Sequence, residues 1–315
     1  MEKNSKIYVA GHRGMVGSAI VRNLKMQGFS NIVMRSSSEL DLRRQVQVEQ
    51  FFKKEQVEYV FLAAAKVGGI MANSQYPADF MYDNMILEMN VIKSAYENKV
   101  KKLMFLGSSC IYPRLAPQPM KESCLLTSEL EQTNEAYALS KISGLKYCEY
   151  LNRQYKTDYI SVMPTNLYGI KDNYHPQNSH VMPALIQRLH LAKQNSEPTV
   201  TIWGSGKPLR EFLYADDLAD ACIYLMNHYS GNETVNIGTG KEISIGELAE
   251  MIKEIVGYQG KIVYDQTKPD GTPRKLLDVS KLENLGWKYK TKIYEGIQLA
   301  YADYLNNIED KIKAK

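Results

Sequence analysis

Apolar residues along the chain fall into two alternating rhythms. Short β-branched or apolar runs at Ile7–Ala10, Ile32–Met34, Tyr59–Ala65, Leu103–Gly107 and Tyr159–Met163 are separated by stretches whose apolar positions recur at helical spacing. That alternation predicts an α/β fold built on a doubly wound parallel sheet. After Gly169 the rhythm breaks into a polar loop, Lys171–Ser179, followed by a helix from about Val181, a strand at Thr199–Trp203 and a turn-rich Gly204–Pro208. Further on, Val235–Gly238 reads as a strand and Ile245–Val256 as a helix. Lys268–Arg274 reads as a loop, because two prolines and Asp-Gly oppose both regular structures. The expected organisation is a nucleotide-binding domain over 1–169, with returning segments near 211–242, and a smaller, discontinuous substrate region over 170–210 and 243–315. No internal repeat or low-complexity segment is present.

Composition narrows the class of protein. The 315 residues, 44% hydrophobic and 23% charged, suit a globular chain able to bury a sizeable core. The 39 basic and 35 acidic residues leave a net charge of +4 without a basic tract, so no nucleic-acid partner is expected, whereas a small anionic substrate fits. The longest apolar run, Val60–Ala65, is far short of the roughly 20 residues a membrane helix needs. Cys110, Cys124, Cys148 and Cys222 lie far apart with no metal-ligand spacing, and the first residues lack the apolar core of a signal peptide. These features lead us to expect a cytoplasmic protein with free thiols, no metal and no membrane span.

The strongest local signal is Gly11-His12-Arg13-Gly14-Met15-Val16-Gly17, which follows the first predicted strand at once and opens the amphipathic stretch Val16–Met26. Glycines there let the chain turn sharply, bring backbone N–H groups to a pyrophosphate and pack the helix close to the strand. This placement predicts a Rossmann-type dinucleotide site. In NAD-preferring sites an acidic residue ends the second strand and holds the ribose 2′-hydroxyl. Here the end reads Met34-Arg35-Ser36-Ser37-Ser38, with Arg13 in the glycine loop, so two arginines and three hydroxyls face the expected 2′-position and the cofactor expected is NADPH. The alternative is that Arg35 and the serines form a solvated loop.

Tyr137 and Lys141 are spaced to share one helix face, where an ammonium can lower a phenol pKa and let it exchange a proton near neutrality. With 22 tyrosines in the chain, about two Tyr-x-x-x-Lys matches are expected by chance, and the second, Tyr264/Lys268 beside Pro269 in an expected loop, is read as the accidental one. Tyr137/Lys141 gains weight from opening the helix after the fourth strand, whose end carries Ser108-Ser109-Cys110.

Taken together, Gly11–Gly17, Ala63-Ala64-Ala65-Lys-Val-Gly-Gly69, Gly107–Pro113, Tyr137-Ala-Leu-Ser-Lys141, Pro164-Thr165-Asn166-Leu167-Tyr-Gly169, Asn178-Ser-His180, Trp203–Gly206, Arg210-Glu-Phe212 and Pro269–Lys275 resemble the GDP-L-fucose synthases. These are epimerase/reductases of the extended short-chain dehydrogenase/reductase superfamily, and the resemblance runs from about residue 6 to 300. It implies C3/C5 epimerisation and C4 reduction of GDP-4-keto-6-deoxy-D-mannose, with Cys110 and His180 as the acid/base pair. Ser108 and Tyr137 would hold the C4 oxygen, and Lys141 would bind the nicotinamide ribose and tune Tyr137. For the cofactor it implies Gly11–Gly17, Ala63–Ala65, Leu106, Gly107, Ser108, Ser109, Pro164–Leu167 and His180, with Asp41 near the adenine. Arg188, Trp203, Arg210, Asp270 and Lys275 would take the GDP-sugar. Some relatives carry arginine where Ser37 stands, which leaves a 2′-phosphate clamp of Arg13, Arg35 and hydroxyls. The resemblance also implies a homodimer. Two other readings remain: a reductase acting only at C4 of a related GDP-keto-sugar such as a heptose derivative, and a non-catalytic NADP(H)-sensing regulator.

Overall fold

The computed structural model describes residues 1–175, 179–268 and 270–313. Asn178 and Pro269, quoted above within two motifs, lie outside the described residues. Six parallel strands form the main sheet: β1 (Ile7–Ala10), β2 (Ile32–Val33), β3 (Tyr59–Leu62), β4 (Lys102–Leu106), β5 (Tyr159–Pro164) and β9 (Val235–Ile237). Their spatial order is β2-β1-β3-β4-β5-β9, so the order reverses between β1 and β3. Open α/β sheets place their ligands outside the carboxyl ends of strands at such a reversal.

Helices cover both faces. Side chains alternate along each strand, so Tyr8 and Ala10 face one way and Ile7 and Val9 the other, and each set has its own core. On the first face lie α2 (Gln45–Glu55), α4 (Pro77–Glu97) and α5 (Glu135–Tyr155), which contribute Phe52, Val91, Ile92 and Leu145. On the second lie α1 (Met15–Met26) and α7 (Ala215–His228), contributing Ile20, Leu24, Leu218 and Cys222. A strand buried on both faces needs an unbroken apolar run, which is why these strands were legible from the chain. The short helix α3 (Ile70–Gln75) precedes α4, whose first residue is Pro77.

The remaining elements form a smaller layer with a core of its own, including Tyr168, Leu185, Phe212, Leu248 and Ile297. It comprises α6 (Val181–Gln194), β7 (Thr199–Trp203) parallel to β11 (Lys261–Asp265), α8 (Ile245–Val256) and α10 (Ile293–Lys313), whereas α9 (Ser280–Asn284) packs through Leu282 into the core on the second face of the main sheet. A second small sheet joins β6 (Asn166–Tyr168), β8 (Leu209–Tyr214), β10 (Glu242–Ser244) and β12 (Arg274–Lys275) around β8. Helix α8 starts on a full capping box, Ser244 with Glu247, and stops at Gly257 with φ 75°.

Several expectations shift. β2 ends at Val33, and β3 ends at Leu62 because Ala63-Ala64-Ala65 leaves the sheet to pass beneath the glycine loop. Tyr264 stands on β11 and not in a loop, and Arg274 closes the expected loop by pairing with β8 as a strand. Glu211 on β8, wholly buried, explains how the small sheet is anchored: its carboxylate accepts the N–H groups of Thr239 (2.6 Å), Gly240 (2.8 Å) and Leu277 (2.9 Å). Burial raises its pKa, and those three bonds work against that rise.

Candidate active site

The glycine loop is shaped as a dinucleotide would require. Gly11 has φ +85°, and a Cβ there would come within 2.7 Å of the Ala64 nitrogen; at Gly17 it would meet the Gly11 carbonyl oxygen at 2.2 Å. Helix α1 then begins at Met15 with no side-chain cap and no acidic residue in its first turn, leaving its N-terminal amides free to receive an anion. His12 carries a buried Nδ1 without a partner. Arg13 is exposed, and Met15 and Val16 are half-buried against the sheet. These residues fit a dinucleotide.

The end of β2 is arranged differently from the sequence reading. Arg35 donates to Glu55 (2.6 Å) and to the Met34 carbonyl (2.7 Å) and is thereby committed to the protein. An acid is also present after all: Glu39 folds back to accept the Ser36 N–H (2.7 Å) and hydroxyl (2.6 Å), in the manner of a capping-box glutamate three residues on. Those bonds, with Arg35 and Arg13 nearby, hold its carboxyl below the usual range. Ser36 is buried, Ser37 exposed, and Asp41 is bound by Arg43, which also reaches Asp83. Arg13 is therefore the free arginine of the two.

The catalytic candidates converge at the carboxyl end of β4. Gly107 packs tightly under the Val162 carbonyl, and the next turn, Ser109–Ile111, is capped by Ser108, whose hydroxyl accepts the Cys110 N–H (3.1 Å). The Tyr137 phenol is presented to the same turn from the first turn of α5. Burial raises the pKa of that phenol, the Cys110 sulfur and Glu88 raise it further, and only Ser108 lowers it. The Lys141 ammonium, one turn along the same helix and almost fully buried, is drawn to Glu88 on α4 (2.9 Å) and to the Leu106 carbonyl (3.0 Å).

Cys110 stands in a contrasting field. Burial alone would push its thiol up, but the Lys275 ammonium, donating to Sγ at 3.0 Å, together with Ser108 and Arg210, brings the pKa below the ordinary value. His180 stands at the start of α6, and desolvation and then Lys275 lower its pKa. Of the cofactor candidates beyond β5, Thr165 and Asn166 bond the Glu211 carbonyl oxygen (3.3 and 2.8 Å), and Pro164 and Leu167 lie on β5 and β6.

The substrate candidates spread along the edge of the smaller layer. Arg210 and Lys275 are register partners on β8 and β12. Trp203, 63% exposed, carries the Lys268 ammonium 5.6 Å above its ring. Asp270 accepts the Ser205 N–H (2.8 Å) and hydroxyl (2.7 Å), and Arg188 donates to the Thr201 carbonyl (2.8 Å). Lys268, the partner of Tyr264 in the accidental match, thus serves the indole and no phenol.

Glu88, Glu39 and Glu211 escaped the sequence reading. Glu88 had a signal: with Asn84 it places two polar residues, four apart, on a helix face whose neighbours Leu87 and Val91 are buried. Among the described residues no cluster of potential metal ligands occurs, and no helix is long and apolar enough to cross a membrane.

Residues 7–238 match the model of the NAD dependent epimerase/dehydratase family. The GDP-L-fucose synthase 1 of Arabidopsis thaliana is 60% identical over 307 residues, covering 98% of this chain and 95% of its own. Among solved structures, a GDP-6-OMe-4-keto-L-xylo-heptose reductase from C. jejuni is 40% identical with a TM-score of 0.93, covering 98% of this chain and 99% of its own. A GDP-L-fucose synthetase from Naegleria fowleri bound to NADP is 29% identical with a TM-score of 0.91, covering 98% and 96%.

Proposed function

The chain belongs to the NAD dependent epimerase/dehydratase family and, within it, to the GDP-L-fucose synthases, and from that premise we propose how its residues divide the work. It converts GDP-4-keto-6-deoxy-D-mannose to GDP-L-fucose with NADPH, inverting C3 and C5 and reducing the C4 ketone. The observation that carries this reading is the convergence at the end of β4 of Ser108, Cys110 with the Lys275 ammonium on its sulfur, and Tyr137 from the first turn of α5.

The C4 ketone acidifies the hydrogens on C3 and C5. The Cys110 thiolate removes one as a proton, leaving an enolate whose oxygen is held by Ser108 and Tyr137. His180 brings a proton from water and returns it to the opposite face, inverting the centre. The cofactor, when bound, supplies hydride to C4. Tyr137 then gives its proton to the C4 oxygen, and the phenol is protonated at neutral pH and so holds that proton ready. Lys141, fixed by Glu88, stands one helical turn from Tyr137 and is positioned for the nicotinamide ribose.

Residues 1–169, with the segments near 211–242, would hold the cofactor, and 170–210 with 243–315 the GDP-sugar. Arg13 would meet the 2′-phosphate, while Arg188, Trp203, Arg210, Asp270 and Lys275 would take guanosine and diphosphate. A cytoplasmic homodimer, with no nucleic acid or membrane partner, completes the proposal. The C4-only reading has support from the heptose reductase structure. Against it stand the 60% identity to a named GDP-L-fucose synthase and the Cys110–Lys275 contact, which reduction alone does not need. NMR of the product formed from GDP-4-keto-6-deoxy-mannose and NADPH separates the two: an inverted sugar supports epimerisation, and retention at C3 and C5 overturns it.

A further inference from the structure

We infer that Lys275 is the counter-ion that holds Cys110 as a thiolate, so that the strand bearing it switches on the epimerisation base; this rests on the reading of Cys110 given above. The contact is direct, Nζ to Sγ at 3.0 Å, and spans 165 positions in the chain. It exists because β12 is clamped on several sides. Lys275 pairs in register with Arg210 on β8; the following Leu276 N–H donates to Gln118 (2.8 Å) and the Leu277 N–H to Glu211 (2.9 Å). The neighbouring Arg274 is bound by Glu242 at 2.8 Å, so that carboxylate is spent on the adjacent cation. Among the described residues no carboxylate pairs with Lys275, and its charge is left to the sulfur.

The groups acting on Cys110 come from every side: Lys275 from β12, Arg210 from β8, Tyr137 from α5 and Ser108 from its own turn. Lys275 also acts on His180 at the start of α6, disfavouring its imidazolium. One ammonium therefore favours the thiolate at Cys110 and the neutral imidazole at His180. In that state the thiolate is the group ready to take a proton from the sugar, and the imidazole must first collect one from solvent. A lysine serving only a diphosphate would have no need to touch the sulfur.

The test reads the thiol itself and needs no substrate. Cys110 in the unaltered protein, Lys275→Met and Lys275→Arg is alkylated with iodoacetamide across pH 5 to 10 (roughly the span around a free thiol near 8.5), and its peptide is quantified by mass spectrometry apart from that of Cys124. We expect the midpoint of the unaltered protein to lie below the ordinary thiol range. Lys275→Met should move it upward, cutting the rate at neutral pH about tenfold or more, as expected when a neighbouring cation is removed. Lys275→Arg should restore most of the rate. With GDP-4-keto-6-deoxy-mannose in deuterated water, Lys275→Met should lose deuterium incorporation at neutral pH and regain it in alkali. An unchanged alkylation midpoint in Lys275→Met overturns the inference, including the case where only KM for the GDP-sugar rises, which would confine Lys275 to the diphosphate. If alkylation behaves as expected but no GDP-keto-sugar is turned over, the proposed activity fails and the counter-ion role stands.

Discussion

At Tyr137 the surroundings decide which way a proton travels. Burial, the Cys110 sulfur and the Glu88 carboxylate all keep the phenol protonated, so its proton is in place when the C4 oxygen needs one as the ketone is reduced. Tyr137→Phe should therefore lower reduction about a hundredfold or more, the usual contribution of a general acid, while GDP-sugar affinity stays near that of the unaltered protein. Stopped-flow NADPH oxidation and equilibrium binding together check this. At Cys110 the balance is reversed, and Cys110→Ala should abolish solvent exchange at C3 and C5 yet still oxidise NADPH with the ketone, giving an unepimerised 6-deoxyhexose. At the cofactor's ribose, Arg35 is already engaged by Glu55, leaving Arg13 as the exposed cation. Arg13→Ala should raise KM for NADPH by roughly tenfold to a hundredfold, the range for a lost charge-assisted hydrogen bond, with little change for NADH. Equal effects on the two cofactors would place the 2′-phosphate elsewhere.

Between α4 and α5 the governing feature is an ion pair with almost no solvent. Glu88 and Lys141 meet at 2.9 Å, and Gly144 leaves the room: a Cβ there would come within 2.6 Å of the Phe105 ring and 2.8 Å of Glu88. Glu88→Gln removes the counter-charge and strands the ammonium, so unfolding in urea should show a loss of about 3–5 kcal/mol, the typical result of breaking a buried pair. A loss near zero would mean that Lys141 finds water or another partner. This pair also marks where the sequence stopped being informative. Tyr137 and Lys141 share a helix face as their spacing requires, but spacing says nothing of the helix packed across from them, and Glu88 is the residue that claims the lysine. The long elements were legible, down to the ends of β1, β7 and α8, because continuous apolar runs, helical periodicity and the Ser244-x-x-Glu247 cap are local signals. Strands β6, β10 and β12 span two or three residues each and have no periodicity to read; their pairing around β8 is decided by Glu211 and its three amides, contacts distant in the chain. Ser36-Ser37-Ser38-Glu39 carried a readable signal, a serine three before a glutamate, but its hydroxyls were counted for the cofactor and not for the turn.

For the whole molecule, the decisive feature is that the small sheet reaches across to the end of β4. Chain segments near residues 110, 137, 180, 210 and 275 meet only because β8 leads into α7 and β9, which returns the chain to the main sheet, while β12 is tied back to β8. Glu211→Ala would leave three amides without an acceptor, at about 1–3 kcal/mol for each that finds no other partner. It should therefore destabilise the protein and, by freeing β12, also slow alkylation of Cys110. Loss of stability with an unaltered thiol would show that β12 keeps its place by other means.

One site that epimerises and then reduces a GDP-4-keto sugar, supplied with GDP-4-keto-6-deoxy-mannose and NADPH in deuterated water, should yield GDP-L-fucose with solvent deuterium at both C3 and C5 when the product is read by NMR. A C4-reduced product that keeps its starting configuration and carries no deuterium at either carbon would show that the site reduces without epimerising.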